Sequence, residues 1–202
     1  MSTLSVDKVE PVGSTLTFGE SGDTFVIPSG GIFTNNGTAT GFAAGSTHAS
    51  QWRVTADFDG DAQPIGGATG TIALVNTGGY GSLGSDMTES SGVFTFPNTG
   101  YWLLTGQWVF TTSQDNHYKG YVDYSSNAGG SWATAVVAES GNYYANRGNI
   151  TLTYMVKITD LSNQKIRWGI DVTPVGGAAT TTTRGDTSIT ETAFTFVRLA
   201  DI

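Results

Sequence analysis

Apolar and polar side chains alternate along most of this chain with a period of two residues. The clearest stretch is Gly92-Val93-Phe94-Thr95-Phe96-Pro97-Asn98-Thr99-Gly100-Tyr101-Trp102. Phe94 and Phe96 fall on one face of an extended segment, and Pro97 removes a ladder donor. Asn98 to Gly100 then supply turn chemistry before a second, aromatic strand. The pattern predicts an all-β protein. Expected strands are Trp52–Phe58, Thr71–Asn76, Val93–Phe96, Tyr101–Thr111, Tyr118–Tyr124, Trp132–Ala138, Asn149–Thr159, Ile166–Val172 and Ser188–Leu199. So many strands without a helical period predict two packed antiparallel sheets, a β-sandwich.

The front of the chain reads differently. Short runs, Leu16–Phe18, Phe25–Ile27 and Ile32–Thr34, are separated by Glu20-Ser21-Gly22-Asp23, Pro28-Ser29-Gly30-Gly31 and Asn35-Asn36-Gly37, each a corner signal. The runs are too short to close a core of their own. Three copies winding round one axis would let Leu16, Phe18, Phe25 and Ile27 meet their equivalents while the Thr faces stay wet. An unstructured Thr-rich leader is the alternative. Ala43 to Gln51 is small and polar and reads as a connector, which divides an N-terminal β docking or shaft segment, 1–50, from a main domain, 51–202.

Composition narrows the function. Glycine takes 28 of 202 positions and charged residues only 13%, against about 25% charged in an average domain; this suits short strands and tight turns. A net charge of -8 with 9 Lys and Arg argues against nucleic acid, whose phosphates are held by clustered cations. There is no cysteine, so neither a disulfide framework nor a thiolate site is available. No apolar run reaches the roughly 18 residues of a membrane span, and Met1 to Glu10 lacks the basic start and apolar middle of a secretory signal. No membrane insertion is expected.

Candidate chemistry is sparse. Asp57, Asp59 and Asp61 stand at alternate positions like the first half of a calcium loop, but Ala62 replaces the turn glycine and Ala68 the closing Glu. A solvated acidic turn is the expectation, with bound calcium the alternative. His48 and His117 do not flank a nucleophile motif. Asp115, Asp123, Glu139 and Asp171 could supply a carboxylate pair for sugar cleavage, yet among 17 acids some pair qualifies by chance. No catalytic residue, metal or cofactor is expected. Arg184-Gly185-Asp186 matches an integrin-binding tripeptide, but such short matches arise by accident, and a turn built on Gly185 with a local Arg and Asp pair is the expectation. Asn36-Gly37-Thr38 and Asn149-Ile150-Thr151 match glycosylation acceptors only formally. Tyrosines beside amides and charges carry more weight, because a rigid ring supplies contact area and the polar groups supply direction. Tyr118, Tyr143, Tyr144, Asn146 and Arg147 are the candidate ligand contacts, the Tyr143-Tyr144 loop foremost, although for any single Tyr packing in a core or subunit interface is the favoured reading.

Gly92 to Trp102, the strand through Trp108-Val109-Phe110, the segment Lys165-Ile166-Arg167-Trp168-Gly169-Ile170 and the terminal Ala193-Phe194-Thr195-Phe196-Val197-Arg198-Leu199 resemble the complement/tumour-necrosis-factor jelly-roll superfamily. The resemblance covers about three quarters of the chain. It implies a jelly roll and a trimer. Thr15 to Gly22, Thr24 to Gly30 and Thr34 to Gly41 resemble short repeats of phage tail-fibre proteins. At ~3.3 Å per residue that segment spans at most about 150 Å, which fits a short spike better than a long fibre. Together the resemblances imply a homotrimeric structural protein at the virion surface. Its partners would be its own copies, other virion proteins through the N-terminal segment, and a host surface glycan or protein. The alternative is a capsid decoration protein gripping the head through Leu4 to Phe33; a sugar-degrading tailspike is a third reading.

Overall fold

The computed structural model describes residues 46–75, 81–112, 116–142, 147–174 and 181–202, with the isolated positions 24, 26, 29 and 31. The chain divides into two units, Met1–Phe42 and Ala43–Ile202, and every described strand lies in the second. A division between 50 and 51 would cut the first strand, which starts at Ala49. Leu16, Phe18, Phe25 and Ile27 lie outside the described residues.

Two antiparallel sheets form the second unit. The first contains β1 (Ala49–Val54), β2 (Phe58–Asp59), β3 (Ile72–Leu74), β6 (Gly100–Thr112), β9 (Arg147–Ile158), β11 (Thr181–Thr183) and β12 (Ala193–Ala200). The second runs in the order β4 (Thr88–Ser90), β5 (Val93–Thr95), β10 (Lys165–Pro174), β7 (Asn116–Ser125), β8 (Ala133–Asn142). Strand β6 organises the first sheet. One of its edges pairs with β9 from Gly100 opposite Ile158 to Thr111 opposite Arg147. The other edge is shared, with β12 along Tyr101 to Gln107 and β11 along Phe110 to Thr112; β1 and β3 follow beyond β12.

Burial in β6 alternates without a break, with Trp102, Leu104, Gly106, Trp108 and Phe110 inward, as the period of two dictates. Phe194 and Phe196 of β12 and Ile166, Trp168 and Ile170 of β10 meet them, all fully buried. Trp168 stacks on Phe194 at 4.7 Å, and the Trp108 ring lies edge-on to Phe194 at 5.7 Å. Gly106 makes this aromatic layer possible: a Cβ there would stand 2.5 Å from the Trp168 ring and 2.7 Å from that of Trp108. The corner legible in the sequence closes as expected, Phe96 packing on Trp102 at 5.3 Å while the Trp102 indole N–H donates to the Asn98 carbonyl at 3.1 Å.

Strands β4 and β11 were not expected, and of β2 only Phe58 was. The expected Trp52–Phe58 strand is broken after Val54, and the pairing resumes as β2. The last strand starts at Ala193 rather than Ser188, because the Asp186 carboxylate accepts the backbone N–H groups of Ser188 and Ile189 and holds that stretch as a turn.

Candidate functional site

The outward side of the first sheet carries exposed apolar side chains. In β6 the outward residues are Tyr101, Leu103, Thr105, Gln107, Val109 and Thr111. Register sets Met155 of β9 and Val197 of β12 on either side of Leu103, and Lys157 beside Tyr101. Met155 is 61% exposed, Leu199 38% and Tyr101 37%; the Lys157 ammonium lies 5.6 Å from the Tyr101 ring centroid. One end of the face is therefore an apolar row. The next positions along the strands, Thr153, Thr105, Thr195 and Gln51, are neutral and polar. A solvent-facing strand position ordinarily carries polar groups, so Met155 breaks the Thr151-Thr153-Lys157 alternation of β9. That departure is the sequence signal through which the face could have been found, and the expected contact residues missed it.

The structure corrects Tyr118. It points inward with Gly120 and Val122, is fully buried, and lies on the Phe110 ring at 3.8 Å between centroids. It belongs to the core and cannot touch a ligand. Tyr143, Tyr144 and Asn146 lie outside the described residues. Arg147 is exposed at the start of β9, where its guanidinium pairs with Glu191 at 3.0 Å. Glu191 also faces Arg184 at 3.6 Å, and Arg184 pairs with Asp57. This chain of ion pairs absorbs the Arg184-Gly185-Asp186 tripeptide. The Gly185 N–H donates to Asp57, the Asp186 N–H donates to the Val54 carbonyl, and the Asp186 carboxylate caps the following turn. A Cβ at Gly185 would lie 2.5 Å from the Ala56 carbonyl oxygen, so glycine here serves close packing.

The acids considered for chemistry have separate structural partners. Asp57 faces Arg184, Asp59 accepts the Thr182 hydroxyl at 2.6 Å, and Asp61 accepts the Val172 N–H at 2.6 Å. Asp123 is buried and accepts Arg167, Gln63 and Thr134. Asp171 accepts the Tyr121 hydroxyl at 3.1 Å and lies 3.9 Å from Lys119. Burial and the adjacent Asp171 carboxylate hold the Tyr121 phenol protonated far above its usual range. His117 pairs with Glu139 at 3.3 Å across β7 and β8, and His48 bonds Thr47 at 2.9 Å. Asp115 lies outside the described residues. Among those described, no three His, Cys, Asp or Glu side chains group as a metal site.

No protein-family model matches the chain, and no curated protein matches it. Solved structures do. Eiger TNF from S. frugiperda superposes with a TM-score of 0.54 at 12% identity over 76% of this chain and 93% of that one. Murine APRIL at pH 5.0 gives 0.48 at 13% over 75% and 98%. Identity at this level speaks for architecture alone, and the architecture is plain: two antiparallel sheets in the strand arrangement of a TNF-like jelly roll.

Proposed function

We propose that this protein is a non-enzymatic structural component of a phage virion, a homotrimeric short fibre or spike whose jelly-roll unit meets the host surface. The observation that carries the reading is the apolar row Tyr101, Leu103, Met155, Val197 and Leu199, on the outward side of a sheet whose inward side is core. Apolar area removed from water is worth roughly 25 cal/mol per Å², and a contiguous exposed patch marks an interaction surface. Association of identical subunits covers it. The ion-paired and hydrogen-bonded state of Asp57, Asp123, Glu139 and Asp171 supports a structural rather than a hydrolytic role. The virion assignment rests on the resemblance of the front segment to tail-fibre repeats and on the acidic, cation-poor composition.

Sedimentation equilibrium of the full chain tests the assembly. The expected mass is three times the 21.1 kDa of one chain, and Leu103→Lys with Met155→Lys should release folded monomers of unchanged circular dichroism. A wild-type monomer throughout the micromolar range would refute the association. Immunogold labelling of particles tests the location: label at the tail supports a fibre or spike, label over the head favours decoration of the capsid, and unlabelled particles refute both.

A further inference from the structure

Beside the apolar row, the same sheet face holds a hollow of about 250 Å³ whose lining is wholly uncharged: Gln51, Thr105, Gln107, Thr190, Ala193 and Thr195. Two cross-strand rows build it. Thr105, Thr195 and Gln51 stand side by side on β6, β12 and β1, and Gln107 faces Ala193 in the next outward row. Ala193 opens the floor by being short. Its other neighbour, Arg53, is buried and contributes nothing to the lining.

The polar atoms are set in advance. The Gln51 amide nitrogen donates to the Thr195 hydroxyl at 3.0 Å, which leaves the Gln51 carbonyl oxygen to accept and the Thr195 proton to donate. The Gln107 amide nitrogen donates to the Glu191 main-chain carbonyl at 3.1 Å, leaving its own carbonyl oxygen to accept. The Thr190 hydroxyl oxygen is buried and has no hydrogen-bond partner among the described residues. The carboxylate of Glu191, next in sequence to Thr190, is engaged by Arg147 and Arg184. An apolar guest would strand these donors and acceptors, and a charged guest would lose hydration with no charged group in the lining to replace it. A neutral guest rich in hydroxyls meets both demands.

We propose that this hollow binds a neutral saccharide unit of a glycan chain. The hollow adjoins the apolar row: Thr105 and Thr195 are two residues, about 7 Å, along their strands from Leu103 and Val197, and Gln107 and Ala193 about 13 Å. This binding rests on the proposed function and deepens its host-contact part.

The test screens the full-length protein against arrayed neutral gluco-, manno- and galacto-oligosaccharides with oligogalacturonate as the charged comparison, then titrates the best one by calorimetry. Saturable binding of a neutral oligosaccharide is expected, with Gln51→Ala weakening it about tenfold, the loss of roughly one hydrogen bond. Ala193→Phe, which fills the floor, should abolish it. Thr195→Val serves as a second, shape-conserving probe and should weaken binding similarly. Retention of no neutral oligosaccharide, preference for oligogalacturonate, or wild-type affinity in both Gln51→Ala and Thr195→Val would each overturn the proposal. Sedimentation of the same samples separates this outcome from failure of the assembly reading.

Discussion

Asp123 is the most heavily engaged acid among the described residues, and replacing it by Ala should destabilise the protein by about 3 kcal/mol. The side chain is 2% exposed and sits in register between Arg167 on β10 and Thr134 on β8. Its Oδ2 accepts the Arg167 Nε at 3.0 Å, a second Arg167 nitrogen at 2.9 Å and the Gln63 amide at 2.9 Å, while Oδ1 accepts Thr134 at 2.9 Å. Truncation leaves these donors without an acceptor and the guanidinium without its counter-charge, held against the Trp132 ring at 4.4 Å. Breaking a buried pair costs about 3–5 kcal/mol. The Arg167 side chain retains 17% exposure, so water partly repairs it and the lower figure applies. Asp123→Asn should lose most of the same stability, since its amide would point a donor at a cluster of donors. The assay is urea unfolding followed by tryptophan fluorescence at fixed protein concentration, because assembly makes stability concentration-dependent. A 3 kcal/mol loss lowers Tm by roughly 6–12 °C in a chain of this size. Pairing Asp123→Ala with Arg167→Ala should cost less than the sum of the two. A loss under about 1 kcal/mol, or strict additivity, would refute the reasoning.

Gly106→Ala should cost about 1–3 kcal/mol by overpacking the Trp108 and Trp168 rings, whereas Gly81→Ala, with nothing within 4 Å, should stay within about 0.5 kcal/mol; the same unfolding assay compares them. Tyr118→Phe removes a buried hydroxyl that lacks a partner among the described residues, so stability should be unchanged or slightly higher and ligand binding unaffected. The Ser188 hydroxyl and the Ser188 and Ile189 N–H groups lower the Asp186 pKa from 3.8 to about 2. Because the folded value lies below the unfolded one, its contribution is complete above about pH 4 and is lost as pH falls toward 2. Asp186→Asn should remove that part of the acid sensitivity in circular dichroism titrations, and superimposable acid curves would disprove it.

The long strands were legible because each carries several turns of a two-residue period: β6, β7, β9 and β10 all lie where alternation put them. The short β4 and β11 were not, and β2 only at Phe58, since pairing with a neighbour, rather than their own pattern, makes them strands. Tyr118 was misread through its polar neighbours His117 and Lys119, although its parity with Val122 and Tyr124 already assigned it inward. The hollow was invisible because Gln51, Thr105, Gln107 and Thr195 come from three strands far apart in sequence and look like ordinary outward residues one at a time. What register adds is their convergence around Ala193.

The place of β12 between β1 and β6 has a consequence for synthesis. The strand that joins these two halves of the first sheet emerges from the ribosome after the other described strands, so both waiting edges stay unpaired until the rest of the unit has been made. The first sheet of this unit therefore closes last. Nascent chains crowded on one message can borrow each other's last strand, and a nonsense change anywhere before Ala193 should yield insoluble product rather than a smaller soluble one.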